Sequence, residues 1–347
     1  MVDKAFNNRE SNARAYVILL IGILFLAFTA PLVKLSNFEP ATLVILRCGL
    51  GLLVLLPFAF MEAKKIGGLN KTGVLLSILA GLFLGIDFTA WNYSIFYIGS
   101  GIAPILLNLQ IIILPALASL IDRERIPSSY FIVAPIMILG VIMSGGLSQS
   151  EPFNGPTTVF GINIAVLGII SGSISGVCYG VYLFTSRKAS KVNAGQIVQP
   201  IAWATAAQLV APTIVMTFIS DRGFDLTNGV LVNGTLPINP ETTLGDPITG
   251  MNWFWMIVLA TAGQAIAWTF VQYGSVRLNS AIVAGLLLLS PISTVAIIAV
   301  LLLGKVPSLV QVLGVVIFLG AVAYQNNLHE AIMTKLKGKG KGESHMQ

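Results

Sequence analysis

Long apolar stretches recur along the whole chain and are separated by short polar segments. Each stretch has about 20 residues, which is enough for a helix to cross a hydrocarbon core of about 30 Å. Only 10% of the 347 residues are charged, whereas roughly 25% are charged in an ordinary soluble domain. These features together predict an all-α polytopic membrane protein.

Ten apolar stretches are predicted to form transmembrane helices. They cover residues 15–33, 41–61, 74–97, 102–121, 127–143, 160–184, 197–219, 252–273, 281–303 and 308–324. A tight turn at residues 98–101 separates the third predicted helix from the fourth. A Gly- and Ser-rich linker at residues 147–159 separates the first five helices from the last five.

The two groups of five helices carry an internal duplication at an offset of 180 residues. Matched pairs include Thr89 with Thr269, Tyr93 with Tyr273, Pro127 with Pro307, and Gly140 with Gly320. Because five is an odd number, the second copy must be inverted in the membrane relative to the first. Inverted repeats are typical of secondary transporters, whose sites lie near the midplane between the repeats. We therefore predict repeats at residues 15–146 and 160–325, the second with an outer loop at 221–251.

Lys and Arg residues are concentrated on one side of the predicted helices. With a cytoplasmic N-terminus, 16 of them lie in cytoplasmic segments and three, Lys34, Arg222 and Lys305, lie outside. The positive-inside rule therefore predicts a multi-pass cell-membrane protein with both termini in the cytoplasm. These termini are the segment 1–14 and the basic tail 326–347, which binds anionic lipids or remains a solvated, untethered segment.

Several kinds of site are disfavoured by where the polar residues lie. The net charge of +6 resides in short loops and the tail, so nucleic acid is not an expected partner. Cys48 and Cys178 lie inside apolar stretches, which argues against a disulfide framework or a zinc site. His329 and His345 follow the last apolar stretch, so neither a metal nor a cofactor is expected within the membrane.

Three segments carry a pattern known from one transporter family. They are residues 27–36 followed by Pro40 and Arg47, residues 91–94 followed by the loop 122–127, and residues 303–307. The pattern resembles the drug/metabolite transporter superfamily, EamA type, although this family more often has Glu at the position of Lys305. The resemblance implies ten helices in inverted five-helix repeats and the export or exchange of small metabolites such as amino acids. It implies no shared substrate-binding motif.

Asp87 is the strongest candidate for a functional residue because it is the only carboxylate inside a long apolar stretch. A charge at this depth costs on the order of 2.5–3.5 kcal/mol even on lenient insertion scales. Arg47 lies in the preceding predicted helix at a comparable depth. Two interpretations are open: a fixed ion pair between Arg47 and Asp87, or a substrate or proton site at Asp87.

Further polar and aromatic residues are candidates for binding substrate. They are Trp91, Asn92, Asn108, Tyr182, Gln264, Trp268 and Gln272. The last three glutamine and tryptophan residues form an i, i+4, i+8 stripe, which we expect to face the bundle interior because glutamine avoids lipid. Packing and interhelical hydrogen bonds, worth about 1 kcal/mol or less each, are the alternative roles of all these side chains.

The sixth predicted helix carries a glycine at every fourth position, namely Gly168, Gly172, Gly176 and Gly180. Such a row of small residues predicts close contact with a neighbouring helix. The adjacent face holds Ser171, Ser175, Cys178 and Tyr182, which are mildly polar and suited to line a cavity.

The leading functional prediction is a secondary transporter that exports small neutral or zwitterionic metabolites by alternating access. The alternative is a non-transporting membrane subunit or a lipid-flipping protein of the same fold. An enzyme is disfavoured, because one buried carboxylate without a His or a second acid gives no general acid/base pair. A monomer and a homodimer are both compatible with the sequence.

Overall fold

A computed structural model describes residues 2–144, 158–159, 162–193, 195–218, 220, 223–232, 244–293 and 308–325. The first half of the chain forms helices α1 Val2–Ala27, α2 Thr29–Ser36, α3 Pro40–Ile66, α4 Lys71–Leu107, α5 Gln110–Asp122 and α6 Tyr130–Ser144. Most of the predicted linker and the whole tail lie outside the described residues. Segment 1–14, predicted to be polar and cytoplasmic, is helical from Val2 onward.

The second half begins with a short antiparallel pair, β1 Thr158–Val159 and β2 Ile162–Asn163. Its helices are α7 Ile164–Lys191, α8 Val198–Gln208, α9 Val210–Phe218, α10 Gly250–Val258, a π-helix Leu259–Ile266, α11 Ala267–Arg277, α12 Ser280–Leu287, α13 Leu289–Ser293 and α14 Leu309–Gln325. Asn163 begins α7 by accepting a hydrogen bond from the N–H of Ala165, and Asn279 begins α12 in the same way with Ala281.

The described residues confirm a helical, multi-pass membrane protein. Six helical segments are long and apolar enough to cross a membrane: Ala13–Ser36, Pro40–Ile66, Lys71–Ile95, Ala165–Lys191, Val198–Phe218 and Gly250–Arg277. Shorter apolar helices cover Gln110–Asp122, Tyr130–Met143 and Leu309–Tyr324. The number of ten spans and the inversion of the repeats remain predictions.

The backbone is helical through residues 98–101, where a turn was predicted. The direction of the chain nevertheless reverses close to these residues. A Cβ atom added to Gly172 would meet side-chain atoms of both Ser94 and Leu106, at 2.7 and 2.6 Å. Twelve residues of straight helix would separate these two positions by about 18 Å. The chain therefore turns back between Ile98 and Leu106, and both arms of α4 pack on the same face of α7.

Two helices are interrupted at positions that match under the offset of 180 residues. The first break separates α4 from α5 at Asn108 and Leu109, and the second separates α12 from α13 at Leu288. Asn108 and Leu288 are equivalent under this offset. The side chain of Gln110 joins the two interrupted regions by donating from Nε2 to the carbonyl of Ala284 at 3.2 Å.

The glycine row on α7 has the packing role that its spacing predicts. Added Cβ atoms at Gly168 and Gly180 would collide with Ile98 and Ile113, and one at Gly176 would collide with the backbone oxygen of Leu106. The absence of side chains on this face therefore lets α7 lie directly against α4 and α5. This close contact positions Ser175, on an adjoining face of α7, beside Asp87.

Candidate functional site

A cluster of polar and aromatic side chains lies between the two halves of the chain. This central cluster consists of Arg47, Asp87, Phe88, Ser175, Tyr179, Tyr182, Gln264 and Trp268. All of these side chains are buried, and Arg47 and Asp87 are each only 2% exposed. Helices α3 and α4 of the first half and α7, the π-helix and α11 of the second half supply them.

Arg47 is held by neutral partners. Its Nε donates to Oε1 of Gln264 at 3.0 Å, and its Nη2 donates to the carbonyl of Gly263 at 3.2 Å. The guanidinium also lies 4.1 Å from the ring centroid of Phe88, a cation–π arrangement that becomes stronger when it is desolvated. Arg47 therefore keeps its positive charge uncompensated by a directly bonded carboxylate.

Gln264 is fixed in turn by α8. Its Nε2 donates to Oε1 of Gln208 at 2.8 Å, and the same oxygen accepts a hydrogen bond from the thiol of Cys48 at 3.2 Å. Gln208 is 1% exposed. A continuous series of hydrogen bonds thus sets the orientation of the Arg47 guanidinium from both halves of the chain.

The π-helix Leu259–Ile266 brings Gly263 and Gln264 to Arg47. Its close approach to α3 depends on Gly51, where an added Cβ would lie 2.7 Å from Cγ of Gln264. Single turns of π-helix are frequent at functional sites, and this segment is eight residues long. The sequence analysis did not predict it, and no residue pattern in this stretch signals it.

Asp87 accepts a hydrogen bond from the hydroxyl of Ser175. Among the described residues, the ion pairs shorter than 4.0 Å are Arg187–Glu124 and Lys188–Asp122. The direct Arg47–Asp87 ion pair considered above is therefore not formed, because Arg47 is turned toward Gln264 and Gly263.

Trp268 forms the aromatic wall of the central cluster. Its ring packs edge-on against Tyr182 and Tyr179, with centroid distances of 5.1 and 5.8 Å, and lies 6.0 Å from Phe88. Its indole N–H is buried and has no hydrogen-bond partner among the described residues. An unsatisfied buried donor costs about 1–3 kcal/mol, so a ligand oxygen placed here would gain a bond at a position already desolvated.

The predicted stripe on the second half faces the interior, as expected, but its members have different partners. Gln264, Trp268 and Gln272 are at most 3% exposed. The amide of Gln272 donates to the carbonyl of Ser186 and to Oγ of Ser190, and its oxygen accepts from Oγ of Ser186. Gln272 thus joins α11 to α7.

The remaining candidates are buried, and among the described residues only the bond of Asn92 to the backbone of Phe88 joins any of them to the central cluster. Trp91 has an unpartnered indole N–H among the described residues. Asn92 donates to the carbonyl of Phe88 in its own helix, and its oxygen has no partner there. Asn108 lies at the break between α4 and α5 with an unpartnered amide nitrogen. Their roles in binding remain predictions.

Three further residues at the site, Phe88, Gln208 and Tyr179, were not predicted from the sequence. Phe88 and Tyr179 look like ordinary apolar-helix residues, and only the fold brings their rings to Arg47 and Trp268. Ser175 was noted only as part of a mildly polar face. Within the described ranges, no group of three His, Cys, Asp or Glu residues could hold a metal ion.

A second charged cluster lies at the end of the bundle that carries the short basic loops. Arg187, near the end of α7, pairs with Glu124 in the loop after α5 at 2.6 Å. Arg187 Nη2 also donates to the carbonyl of Leu278 at 2.9 Å, and Glu124 accepts from the N–H of Ser280 at 2.8 Å. We call Glu124, Arg187, Leu278 and Ser280 the ion-pair cluster.

The ion-pair cluster predicts an acid-sensitive contribution to stability. Burial acts to raise the pKa of Glu124. The hydrogen bonds from Arg187 and Ser280 and the charges of Arg187 and Lys191 together lower this pKa by more than burial raises it, so the net shift is downward. A depressed folded-state pKa gives stability that is complete above the ordinary value of about 4.3 and is lost as pH falls through the folded value. As the pH is lowered through this range, the unfolding temperature in detergent should therefore fall less steeply for Glu124→Gln than for the wild type. Equal slopes for the two proteins would contradict the prediction.

Comparison with known proteins identifies the class of the first half. Residues 13–146 match the model of the EamA-like transporter family, which confirms the resemblance found in the sequence. No curated protein matches the chain. Among solved structures, 27 chains match; one crystal structure superposes with a TM-score of 0.67 at 15% identity, covering 92% of this chain and 99% of the other. At that identity the likeness concerns the fold alone.

Proposed function

We propose that this chain, whose first half matches the EamA-like transporter family, is a secondary transporter that exports a small zwitterionic metabolite. Its two halves would be inverted five-helix repeats at residues 15–146 and 160–325, with both termini in the cytoplasm. The matched breaks at Asn108 and Leu288 support this organisation, because interrupted helices at corresponding positions of inverted repeats point to transport sites.

One observation carries the proposal: Arg47 and Asp87 are buried in one cluster without bonding each other. Buried charges are costly unless they are paired, so two opposite charges that remain separate suit a ligand that carries both signs. A carboxylate would lie against Arg47 and an ammonium against Asp87. The rings of Phe88 and Trp268 would contact the apolar part of the molecule.

The position of the central cluster supports a mechanism of alternating access. Its residues come from both halves of the chain, so a relative movement of the halves would expose it to one side of the membrane and then the other. Arg47 and Gln264 belong to different halves and are directly bonded. This hydrogen bond would have to persist or re-form as the halves move. The two halves could therefore rotate relative to each other about this contact, beside the substrate.

Ligand binding to the purified protein is the direct test. A panel of amino acids and other small metabolites should include compounds that raise the unfolding temperature, because a ligand at a hundredfold excess over Kd stabilises by roughly 2.7 kcal/mol. A compound that binds should then be transported in sealed liposomes. The absence of stabilisation and transport across the panel, together with scrambling of labelled lipids, would favour the lipid-flipping alternative.

The unpartnered indole of Trp268 makes a separate prediction about affinity. Trp268→Phe keeps an aromatic ring but removes the N–H, so affinity for a stabilising ligand should fall by about tenfold, within the 0.5–1.5 kcal/mol of a typical hydrogen bond. Trp203→Phe is the matched control, because Trp203 on α8 is 46% exposed and lies outside the central cluster. Equal affinities of the two variants would exclude a ligand bond to Trp268.

A further inference from the structure

The ion-pair cluster connects the two halves at one end of the bundle. Glu124 belongs to the first half, and Arg187, Leu278 and Ser280 belong to the second. Arg187 is 6% exposed, and its Nη1 and Nη2 both point to the Glu124 carboxylate, at 2.6 and 3.5 Å. The Arg187–Glu124 ion pair therefore links the end of α5 to α7 and to the turn between α11 and α12.

Two layers of contacts follow the Ser175–Asp87 bond along α7 in the direction of the ion-pair cluster. Ser175 bonds Asp87, Tyr182 packs against Trp268, and Ser186 and Ser190 bond Gln272. Arg187 is 12 residues beyond Ser175, which corresponds to about 18 Å of helix. The partners on α11 follow the same order along that helix: Trp268 comes first, Gln272 next, and Leu278 directly after the end of the helix. The ion-pair cluster thus lies between the central cluster and the end of the bundle that carries the basic loops.

We infer that the ion-pair cluster is the gate that closes the central cluster toward the end of the bundle with the basic loops. The inference rests on the proposed function and adds the contact that controls access to the site. Opening this end requires α5 to separate from α7 and from the α11–α12 turn, and Glu124 is the residue bonded to both.

The chemistry of the pair suits a contact that forms and breaks. The Coulomb attraction of a buried ion pair is largely offset by the cost of desolvation, so the closed state need not be much more stable than the open one. Nε of Arg187 is buried without a partner among the described residues, so the closed arrangement leaves part of the guanidinium unsatisfied. Rehydration of both charges on opening would compensate for the lost bonds.

A native thiol reports on access to the central cluster. Cys178 lies between Ser175 and Tyr182 on one face of α7, at helical spacings of three and four residues. It is 8% exposed. The other cysteine, Cys48, is fully buried and is removed in a Cys48→Ser background that keeps a hydrogen-bond donor toward Gln208.

The test measures the rate at which Cys178 reacts with a positively charged methanethiosulfonate reagent. The reagent is applied separately to inside-out and right-side-out membrane vesicles that contain the full chain. Glu124→Gln and Arg187→Gln should each accelerate the reaction by about tenfold, equivalent to a shift of about 1.4 kcal/mol in the closed–open equilibrium, and only from the side of the basic loops. Arg187→Lys, which keeps the charge, should give an intermediate rate.

Asp122→Asn is the matched control. The Lys188–Asp122 pair joins the same two helix ends at 2.8 Å, but its side chains are 32% and 26% exposed, so its loss should leave the rate unchanged. The inference would be overturned if Glu124→Gln accelerated the reaction no more than Asp122→Asn does, while circular dichroism showed an intact fold. It would also be overturned if the reaction were accelerated equally from both sides of the membrane. The labelling needs no solute, so a gate detected in a protein that transports nothing would sustain this inference and refute the proposed transport.

Discussion

Asp87→Asn is expected to abolish pH-driven transport while leaving the folded protein intact. Asparagine has nearly the same shape, and its oxygen can still accept the hydrogen bond from Ser175. It carries no charge and binds no proton at this position. In the proposed complex, Asp87 pairs with the ammonium of the bound zwitterion, and removing one partner of a buried charge pair costs about 3–5 kcal/mol. Transport of the zwitterion should therefore fall by roughly 100-fold or more.

The measurement is solute flux in liposomes with an imposed pH gradient, alongside the unfolding temperature of the same preparation. Asp225→Asn is the control, because the partners of Asp225 among the described residues are Thr227 and Asn228 of its own loop. Flux by Asp87→Asn at the wild-type rate and with the wild-type pH dependence would refute a role in substrate or proton binding. Asp87 would then be a structural residue that is held by Ser175.

The outcome also separates the two roles that the sequence left open for Asp87. The similar depth of Asp87 and Arg47 in adjacent predicted helices is compatible with a fixed pair between them. Depth along a helix says nothing about the direction in which a side chain points around the axis. Arg47 is rotated toward Gly263 and Gln264 of the other half, so the contact that decides its role comes from a segment more than 200 residues away.

The helical class and the packing faces could be predicted because their signals are local. Apolar composition within each stretch indicated membrane helices, and the four-residue spacing of Gly168 to Gly180 indicated the face of α7 that contacts α4 and α5. The burial of Gln264, Trp268 and Gln272 followed from their common stripe. Each of these features depends on a few neighbouring residues rather than on the arrangement of the whole bundle.

The partners of that stripe could not be predicted, because the π-helix changes the rotation of the chain. An i→i+5 hydrogen-bond pattern widens the turn, so Gln264 within it does not share the direction of residues in α11. Gln264 faces α3 and α8, where it bonds Arg47 and Gln208, whereas Trp268 and Gln272 face α7. The three residues are therefore evenly spaced in the sequence but lie on two different surfaces.

Gly176→Ala is expected to be the most destabilising of the conservative changes in the glycine row. An added Cβ would collide with the backbone oxygen of Leu106, and a backbone atom cannot move aside as the end of a flexible side chain can. Overpacking of this kind costs about 1–3 kcal/mol and occasionally more. The unfolding temperature in detergent should fall, and ligand stabilisation should weaken because Ser175 and Asp87 are displaced with the helix.

Gly49→Ala separates this collision from the general effect of replacing glycine in a helix. An added Cβ at Gly49 on α3 meets nothing within 4 Å, and alanine favours helix over glycine by about 1 kcal/mol. Gly49→Ala should therefore be neutral or stabilising, opposite in sign to Gly176→Ala. If both variants unfolded at the same temperature, α7 would not need to lie directly against α4, and the contact that places Ser175 beside Asp87 would have to arise from elsewhere in the bundle.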